Sequence, residues 1–292
     1  MEKATLVISS DARQVSLVEQ LQAQKRKVYL DPEKRLEQML AILRRCGEII
    51  LPTPVTRLNG FFEVERLQEV IAMVSEENAC MKFQVFGGAF DEKWLCFFEE
   101  NHILFHDFMT EEAVLTANAS ITAEAALAEL IQLSPYEIAN NKQVVLGFGR
   151  CGKEMARVLS AIGGKVTVLA RNKEQRKEAR AKGYEASDLA YRMEECCGAK
   201  AIINTIPAPV VSEELIAGLC KDTVIIDLAS KPGGVDFDAA KRAKIVTKHA
   251  LGLPGKYETR SSGTILAKDY IRHSLHYDVC GEDTLWIYQV FV

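Results

Sequence analysis

The chain has 292 residues, of which 48% are hydrophobic and 26% charged, a balance typical of a folded globular protein. Because this length exceeds the ~100–200 residues usual for one domain, two domains are expected. A formal net charge of −4 gives no overall basic field, so neither nucleic acid nor an anionic membrane is expected as the main partner. The N-terminal segment does not have the pattern of a signal peptide, so the sequence predicts a cytoplasmic protein.

The first part of the chain alternates short strand-like runs with helical stretches. Strands are predicted at LVIS, VYL, EIILP, KFQVFGG and HILFHD, and helices at 11–24, 33–46 and near 64–75. This alternation is typical of a parallel α/β sheet. We therefore predict an N-terminal α/β domain on the substrate side, at 1–115.

A long connecting helix is predicted at 111–134, where Pro135 follows, and it leads into a second α/β alternation. Strands are predicted at KQVVLG, KVTVLA, 184–186, AIINT, TVIIDLA and KIVTK. This second domain is placed at 116–262, and 263–292 is expected to hold a helix returning to the first domain plus a tail of unassigned role. The predicted fold is α/β, with two Rossmann-like or flavodoxin-like domains of which the C-terminal one is a doubly wound NAD(P)-binding domain.

A glycine-rich segment follows the first strand of the second domain and precedes a helix. Its residues are Gly147, Phe148, Gly149, Arg150, Cys151 and Gly152. In this strand-to-helix setting the first glycine permits the tight turn, the second lets backbone approach a pyrophosphate, and the third allows close helix packing. The segment predicts binding of a nicotinamide dinucleotide at the helix N-terminus.

The end of the next strand discriminates between the two nicotinamide cofactors. It reads Ala170, Arg171 and Asn172, without the acid that accepts hydrogen bonds from an unphosphorylated ribose. Since a guanidinium makes forked contacts to phosphate, NADP is predicted, with NAD as second choice. A solvated surface role for Arg171 is the alternative.

Two later strands of the second domain end in further candidates, since open α/β sheets bind ligands at the carboxyl ends of their strands. The turn expected to contact the nicotinamide ribose is Asn204, Thr205, Ile206 and Pro207. The candidates for the substrate are Ser230, Lys231, Gly233 and Gly234. The alternative explanation of Lys231 and the two glycines is a solvated turn.

Candidates for the substrate in the first domain are Ser10, Asp11, Arg13 and Thr53. Asp11 is suited to cap the helix that begins there. Arg13 lies in the first turn, where the helix dipole disfavours a cation, and this indicates a carboxylate ligand. With Lys231 from the other domain, Arg13 is expected to bind two carboxylates across a cleft.

The catalytic residues are not identified by the sequence, and His249 and Lys231 are only weak candidates. No metal site is expected, because His102, His106, His273 and His276 show no accompanying set of acidic or cysteine ligands. All eight cysteines are expected to be reduced thiols.

The segments SSDARQ, GFGRCG, NTIP, DLASKPGG and GLPG, in this order, resemble the A subunit of bacterial dipicolinate synthase. The resemblance implies a cytoplasmic NAD(P)-dependent oxidoreductase of dipicolinic acid biosynthesis in sporulation. Such an enzyme oxidises a dihydrodipicolinate-pathway intermediate to pyridine-2,6-dicarboxylate and works with a flavoprotein-like second subunit, dipicolinate synthase B. Lys231 departs from the arginine expected before Pro-Gly-Gly, and Ser9-Ser10 depart from an expected Gly-Gly.

Two other functions remain open from the sequence. A 2-hydroxyacid dehydrogenase has a similar two-domain layout but requires an Arg and a His–acid pair, which the sequence does not reveal. The other is a non-catalytic NADP-binding scaffold for the flavoprotein-like second subunit, since no base is evident.

Overall fold

The structure, a computed structural model, describes residues 4–30, 36–58, 63–77 and 83–279. The chain divides into two compact units. The first comprises Met1–Leu115 together with Glu258–Val292, and the second comprises Thr116–Tyr257. The predicted tail beyond residue 279 lies outside the described residues.

The described part of the first unit is a parallel five-stranded sheet in the order β2-β1-β3-β4-β5. Its strands are β1 Ala4–Val7, β2 Val28–Leu30, β3 Cys46–Ile50, β4 Gln84–Gly87 and β5 Leu104–Asp107. The helices between these strands are α1 Ala12–Ala23, α2 Leu36–Leu43, α3 Val64–Glu77 and α4 Glu92–Glu100. Every recorded strand pair is parallel, as expected for strands joined through helices.

Helix α5, Glu112–Leu133, leads from the first unit into the second. By length and composition it could cross a membrane, but 44% of its most apolar window is buried inside the protein. Its buried residues include Ala123, Ala126 and Leu130, which belong to the core of the second unit. This packing is typical of a core helix.

The second unit is a parallel six-stranded sheet in the order β11-β10-β9-β6-β7-β8. Its strands are β6 Lys142–Leu146, β7 Lys165–Leu169, β8 Glu185–Ser187, β9 Ala201–Asn204, β10 Val224–Asp227 and β11 Val246–His249. The helices are α6 Arg150–Ala161, α7 Lys173–Ala181, α8 Arg192–Glu195, α9 Glu213–Ala217 and α10 Phe237–Ala243. The chain reverses direction across the sheet between the neighbouring strands β6 and β9, which is the switch point where Rossmann sheets bind dinucleotides.

The predicted α/β fold with two parallel sheets is confirmed, and the weak strand expected at 184–186 is β8. Some boundaries are wrong. The helix expected to reach residue 46 ends at Leu43, because Cys46 already pairs in the sheet beside Ala4. Helix α4 was not anticipated, although Asp91 caps it by accepting a hydrogen bond from the Trp94 amide.

The last helix, α11 Thr259–Val279, packs along α1 and belongs to the first unit. Close approach is possible because Gly263 faces α1, where a Cβ would lie 2.6 Å from the Ser16 Cβ. Further along, Tyr270 is fully buried with Phe86 of β4 in the core under this helix.

Candidate functional site: the carboxyl edge of the second sheet

The glycine-rich segment forms the turn from β6 into α6. Gly147 has a φ of +93°, which suits glycine, and a Cβ on Gly152 would lie 2.3 Å from the Gly147 carbonyl oxygen. Gly149 differs, since a Cβ there would meet nothing within 4 Å. The segment thus leaves open space beside the N-terminus of α6, where backbone amides attract phosphate.

The other members of this segment take different positions. Phe148 is buried in the core, and its ring contacts Tyr184 edge to face. Cys151 is half-buried, and burial raises the pKa of its thiol. Arg150 begins α6 at an exposed position. Phe148 therefore contributes packing, while any contact with a cofactor comes from its backbone.

A cavity of about 320 Å³ lies beyond the end of β7. Its walls include Arg171 and Arg192, together with Asp188, Leu189, Ala190, Pro209 and Val210. The Asp188 carboxylate is already paired with Arg176 at 2.6 Å and accepts from the Ala190 amide. Within the described residues, the buried Nε of Arg192 has no hydrogen-bond partner. The cavity therefore offers two guanidiniums to a ligand.

Asn172 caps α7, because its side chain accepts hydrogen bonds from the amides of Glu174 and Gln175. The capping role accounts for Asn172 without any ligand. Of Arg171 and Asn172, the two residues predicted to distinguish NADP from NAD, only Arg171 borders the cavity. Arg192 was not found from the sequence. It lies 21 positions beyond Arg171 in the chain, and no local pattern joins them.

The end of β9 is held by hydrogen bonds of its own. Asn204 is fully buried and donates to Asp227 at 2.8 Å and to the Ile206 carbonyl at 3.0 Å. Thr205 donates to the Leu146 carbonyl at 2.8 Å, which ties β9 to β6. Ile206 lies beside Gly147. This turn therefore shapes the wall next to the glycine-rich segment, with Pro207 on its exposed side.

Asp227 at the end of β10 organises the loop that follows it. Its buried carboxylate accepts from the amides of Ala229 at 3.0 Å and Gly234 at 2.8 Å. Gly233 has a φ of +91°, and a Cβ there would lie 2.7 Å from Asp227 Oδ2. Gly233 and Gly234 are thus both buried, and their lack of side chains lets the loop fold closely around Asp227.

Ser230 and Lys231 are exposed on this loop, and the Lys231–Pro232 peptide bond is cis. Their side chains are the parts of the predicted substrate segment that face solvent, whereas Gly233 and Gly234 serve the loop itself. Any ligand bound here would meet the hydroxyl of Ser230 and the ammonium of Lys231.

His249 ends β11 beside the same loop. Its Nε2 is 2.9 Å from the Ala229 carbonyl oxygen, and its ring stacks on Phe237 with centroids 5.4 Å apart. Since a carbonyl only accepts hydrogen bonds, Nε2 is the donor, and a neutral His249 carries its lone pair on Nδ1. The partner is a carbonyl rather than the carboxylate of a His–acid pair.

Candidate functional site: the carboxyl edge of the first sheet

The N-terminus of α1 carries a buried charge cluster. Asp11 caps α1 with a capping box completed by Gln14, and its carboxylate accepts from Arg13 Nη2 at 2.8 Å and from Arg57. Arg13 is only 5% exposed and also donates to the Thr53 carbonyl. Two guanidiniums around one carboxylate leave a net positive charge at this edge.

Two hydroxyls add to this cluster. Ser10 Oγ and Thr53 Oγ1 are buried, and among the described residues neither has a hydrogen-bond partner. Unpartnered buried hydroxyls beside net positive charge are suited to an anion. Arg57 was missed from the sequence, since it lies 46 positions from Asp11. Burial is the main cause that lowers the pKa of Arg57.

Comparison with known families first characterises the second unit. Residues 111–230 match the family model described as "D-isomer specific 2-hydroxyacid dehydrogenase, NAD binding domain". The second unit is therefore a nicotinamide-dinucleotide-binding domain of the oxidoreductase type.

The resemblance to the A subunit of dipicolinate synthase is also confirmed. The chain is 27% identical over 284 residues to that protein from Bacillus subtilis (strain 168), covering 89% of this chain and 92% of the relative. A crystal structure of the dipicolinate synthase A subunit from Bacillus halodurans has a TM-score of 0.80 at 26% identity, covering 94% of this chain and 98% of that one. The corresponding crystal structure from Bacillus subtilis, at 23% identity and a TM-score of 0.78, shares the fold over 95% of this chain and 97% of its own.

Proposed function

We propose that this chain is an oxidoreductase that oxidises a dihydrodipicolinate-pathway intermediate to pyridine-2,6-dicarboxylate with NADP. The observation that carries the proposal is the open space at Gly149, at the N-terminus of α6 and at the switch point of the six-stranded sheet. The likeness to the A subunit of dipicolinate synthase supports the substrate class.

The residues at the carboxyl edge of the second sheet fit such a cofactor. The backbone of Gly147, Phe148, Gly149, Arg150, Cys151 and Gly152 would hold the pyrophosphate, and the turn from Asn204 to Pro207 would border the nicotinamide ribose. When bound, the nicotinamide supplies a hydride acceptor.

The preference for NADP rests on the cavity at Arg171 and Arg192. A ribose 2′-phosphate has oxygens for two guanidiniums, and the one acid in the cavity wall is neutralised by Arg176. A free carboxylate in this place would instead favour NAD.

The substrate carries two carboxylates, so local cations are required. Lys231 supplies one in the second unit, beside the Ser230 hydroxyl. In the first unit the cluster of Arg13, Arg57 and Asp11, with the hydroxyls of Ser10 and Thr53, is a separate candidate site for a carboxylate. Because Arg13 is buried against Asp11, we assign it a positioning role and give the more exposed Arg57 the direct contact.

The oxidation gives an aromatic ring, which supplies driving force, so the chain mainly positions the ring and accepts or relays one proton. His249 is the candidate proton acceptor. Its Nε2 donates to the Ala229 carbonyl, so the lone pair on Nδ1 is available for the proton. The relative is named as one subunit of a synthase, which supports a second polypeptide, and we propose the flavoprotein-like dipicolinate synthase B for that part.

Calorimetric titration with NADP and NAD tests the cofactor assignment. Arg171→Ala and Arg192→Ala should each remove a charge-assisted hydrogen bond worth ~1.5–3 kcal/mol, and so weaken NADP binding by about ten- to a hundredfold while sparing NAD. The matched control is Arg242→Ala, which removes an exposed charge paired with Glu213 on the same unit. Equal affinity for the two cofactors in the native chain would refute the preference.

Turnover tests the reaction. The isolated chain, mixed with NADP and the freshly generated dihydro precursor, should produce NADPH and dipicolinate. Product formation only after the flavoprotein-like second subunit is added would favour the scaffold function instead, and turnover of 2-hydroxy acids would favour the dehydrogenase of the matching family model.

A further inference from the structure

Four titratable side chains of the first unit meet between β5, the start of α5 and α11. His106 lies in β5, Glu111 immediately precedes α5, and Asp269 and His273 are one turn apart on α11. His106 Nε2 is 2.7 Å from Asp269 Oδ2, and His273 Nδ1 is 2.9 Å from the Asp269 carbonyl oxygen. His273 Nε2 is 3.8 Å from Glu111 Oε1.

We propose that His106, Glu111 and His273 form a binding site for a divalent transition metal ion of the zinc type, with Asp269 as the residue that orients both imidazoles. Each of the three ligands offers one atom, and these atoms all lie within 4.8 Å of one another. Two imidazoles and one carboxylate are a donor set that suits zinc and its neighbours in the first transition row.

Two of the histidine contacts are hydrogen bonds to Asp269, whereas Glu111 and His273 are not hydrogen-bonded to each other. The 3.8 Å between His273 Nε2 and Glu111 Oε1 is too long for a hydrogen bond. Two atoms that each lie about 2.0–2.2 Å from a tetrahedral zinc ion are separated by about 3.3–3.6 Å. Glu111 and His273 are thus a few tenths of an ångström from the spacing of co-ligands, and a small side-chain shift would reach it.

Asp269 carries the independent support for the site. Its side chain is only 4% exposed. Its carboxylate faces one ring nitrogen of His106, while its backbone carbonyl takes the N–H of His273. Metal-binding histidines are usually held in this way, with the second ring nitrogen donating to a carboxylate or carbonyl. The arrangement leaves Nε2 of His273 and Nδ1 of His106 as lone-pair donors.

Binding requires one local rearrangement. The two imidazoles stack with centroids 3.7 Å apart and planes 24° apart, whereas a metal ion lies in the plane of each ring that binds it. One ring must therefore turn out of the stack when the ion binds. The bound ion would join β5 and the start of α5, which are close in the chain, to the distant α11.

The test is titration of the full-length, reduced chain with Co²⁺ followed by absorption, and with Zn²⁺ followed by thermal unfolding. Co²⁺ should produce d–d bands without the near-ultraviolet charge-transfer band of a thiolate ligand, which distinguishes this site from the eight cysteines. Zn²⁺ should raise the Tm. Asp269→Asn should weaken binding by about 10- to 100-fold.

The ligand variants are His273→Gln and Glu111→Gln, and both should abolish the Co²⁺ bands and the Zn²⁺ effect on Tm. The matched control is His102→Asn, which removes an exposed histidine at a positive φ that asparagine tolerates. Since Glu111 is about a third exposed, its variant should fold, and circular dichroism checks this. Absent binding, thiolate bands alone, or unchanged binding in folded Glu111→Gln would each overturn the proposal.

Discussion

Replacing Gly149 with alanine separates cofactor binding from folding. A Cβ at Gly149 meets open space, and its φ of −78° with extended ψ is accessible to alanine. Alanine stabilises by reducing the freedom of the unfolded chain, by ~0.4–1 kcal/mol, but it is a poorer helix cap than glycine. These effects oppose each other, so the free energy of unfolding should change by less than about 1 kcal/mol.

The same methyl group should impair binding severely. It lies where backbone must approach the pyrophosphate. If it displaces one or two charge-assisted hydrogen bonds of ~1.5–3 kcal/mol each, affinity for either nicotinamide cofactor should fall by at least about tenfold to a hundredfold. Gly149→Val, with a larger side chain, should abolish binding.

Gly152→Ala is the matched contrast on the same helix. Its Cβ would lie 2.3 Å from the Gly147 carbonyl oxygen, a backbone atom that cannot move without distorting the turn. Overpacking of this kind costs ~1–3 kcal/mol, so this variant should lose stability as well as binding. Urea unfolding gives the stability and calorimetry the affinity. Native affinity for NADP in Gly149→Ala would refute the position assigned to the pyrophosphate.

Two further outcomes are expected. Lys231→Ala should weaken dipicolinate binding in the presence of NADP by about ten- to a hundredfold while sparing NADP, and Lys231→Arg should be tolerated; calorimetry decides, and native affinity would place the carboxylate elsewhere. Burial raises the pKa of the Cys196 thiol from 9.0 to about 12, so the folded chain holds this proton more tightly than the unfolded chain. The resulting stability is present below pH 9 and lost as pH rises towards 12. The free energy of unfolding, measured with urea, should therefore fall less between about pH 8 and about pH 11 in Cys196→Ala than in the exposed control Cys197→Ala.

The sequence was sufficient where the signal is local. The β6 strand, the glycine-rich turn and α6 are consecutive, so their order predicts the nucleotide-binding turn, and the alternation of apolar runs predicts both sheets. Helix α4 was missed because most of its apolar residues, Trp94, Phe97 and Phe98, are aromatic and have a preference for strands. The capping Asp91 was the local signal that could have revealed it.

What the sequence did not predict depends on contacts between distant positions. His106 and Asp269 are 163 positions apart, so neither identity nor spacing indicated that one aspartate would serve two histidines, through its carboxylate and its backbone carbonyl. Arg57 reaches Asp11 through a similar long-range contact. In both cases a charged side chain is held by a partner on another element.

Tyr270 on α11 offers a test of such a long-range contact. Its hydroxyl donates to the buried Glu48 of β3 and lies 2.7 Å from Thr5 Oγ1 in β1. Burial is the main cause that raises the pKa of Tyr270, so this hydroxyl keeps its proton. Tyr270→Phe keeps the ring in the core. Among the described residues it leaves the carboxylate of Glu48, which is 5% exposed, with the Thr5 hydroxyl at 3.1 Å as its one side-chain donor.

We expect Tyr270→Phe to cost ~1–3 kcal/mol in the free energy of unfolding, because a buried carboxylate loses a donor that water does not replace. Tyr136→Phe is the control, since Tyr136 donates to Asp222 in the same way at an exposed position, where such a bond contributes at most ~1 kcal/mol. Both values come from urea unfolding. A double-mutant cycle with Glu48→Gln should recover a coupling energy of at least ~0.5 kcal/mol for the buried pair. Equal costs for the two tyrosines, with no coupling to Glu48, would show that α11 is held to the sheet by apolar packing alone.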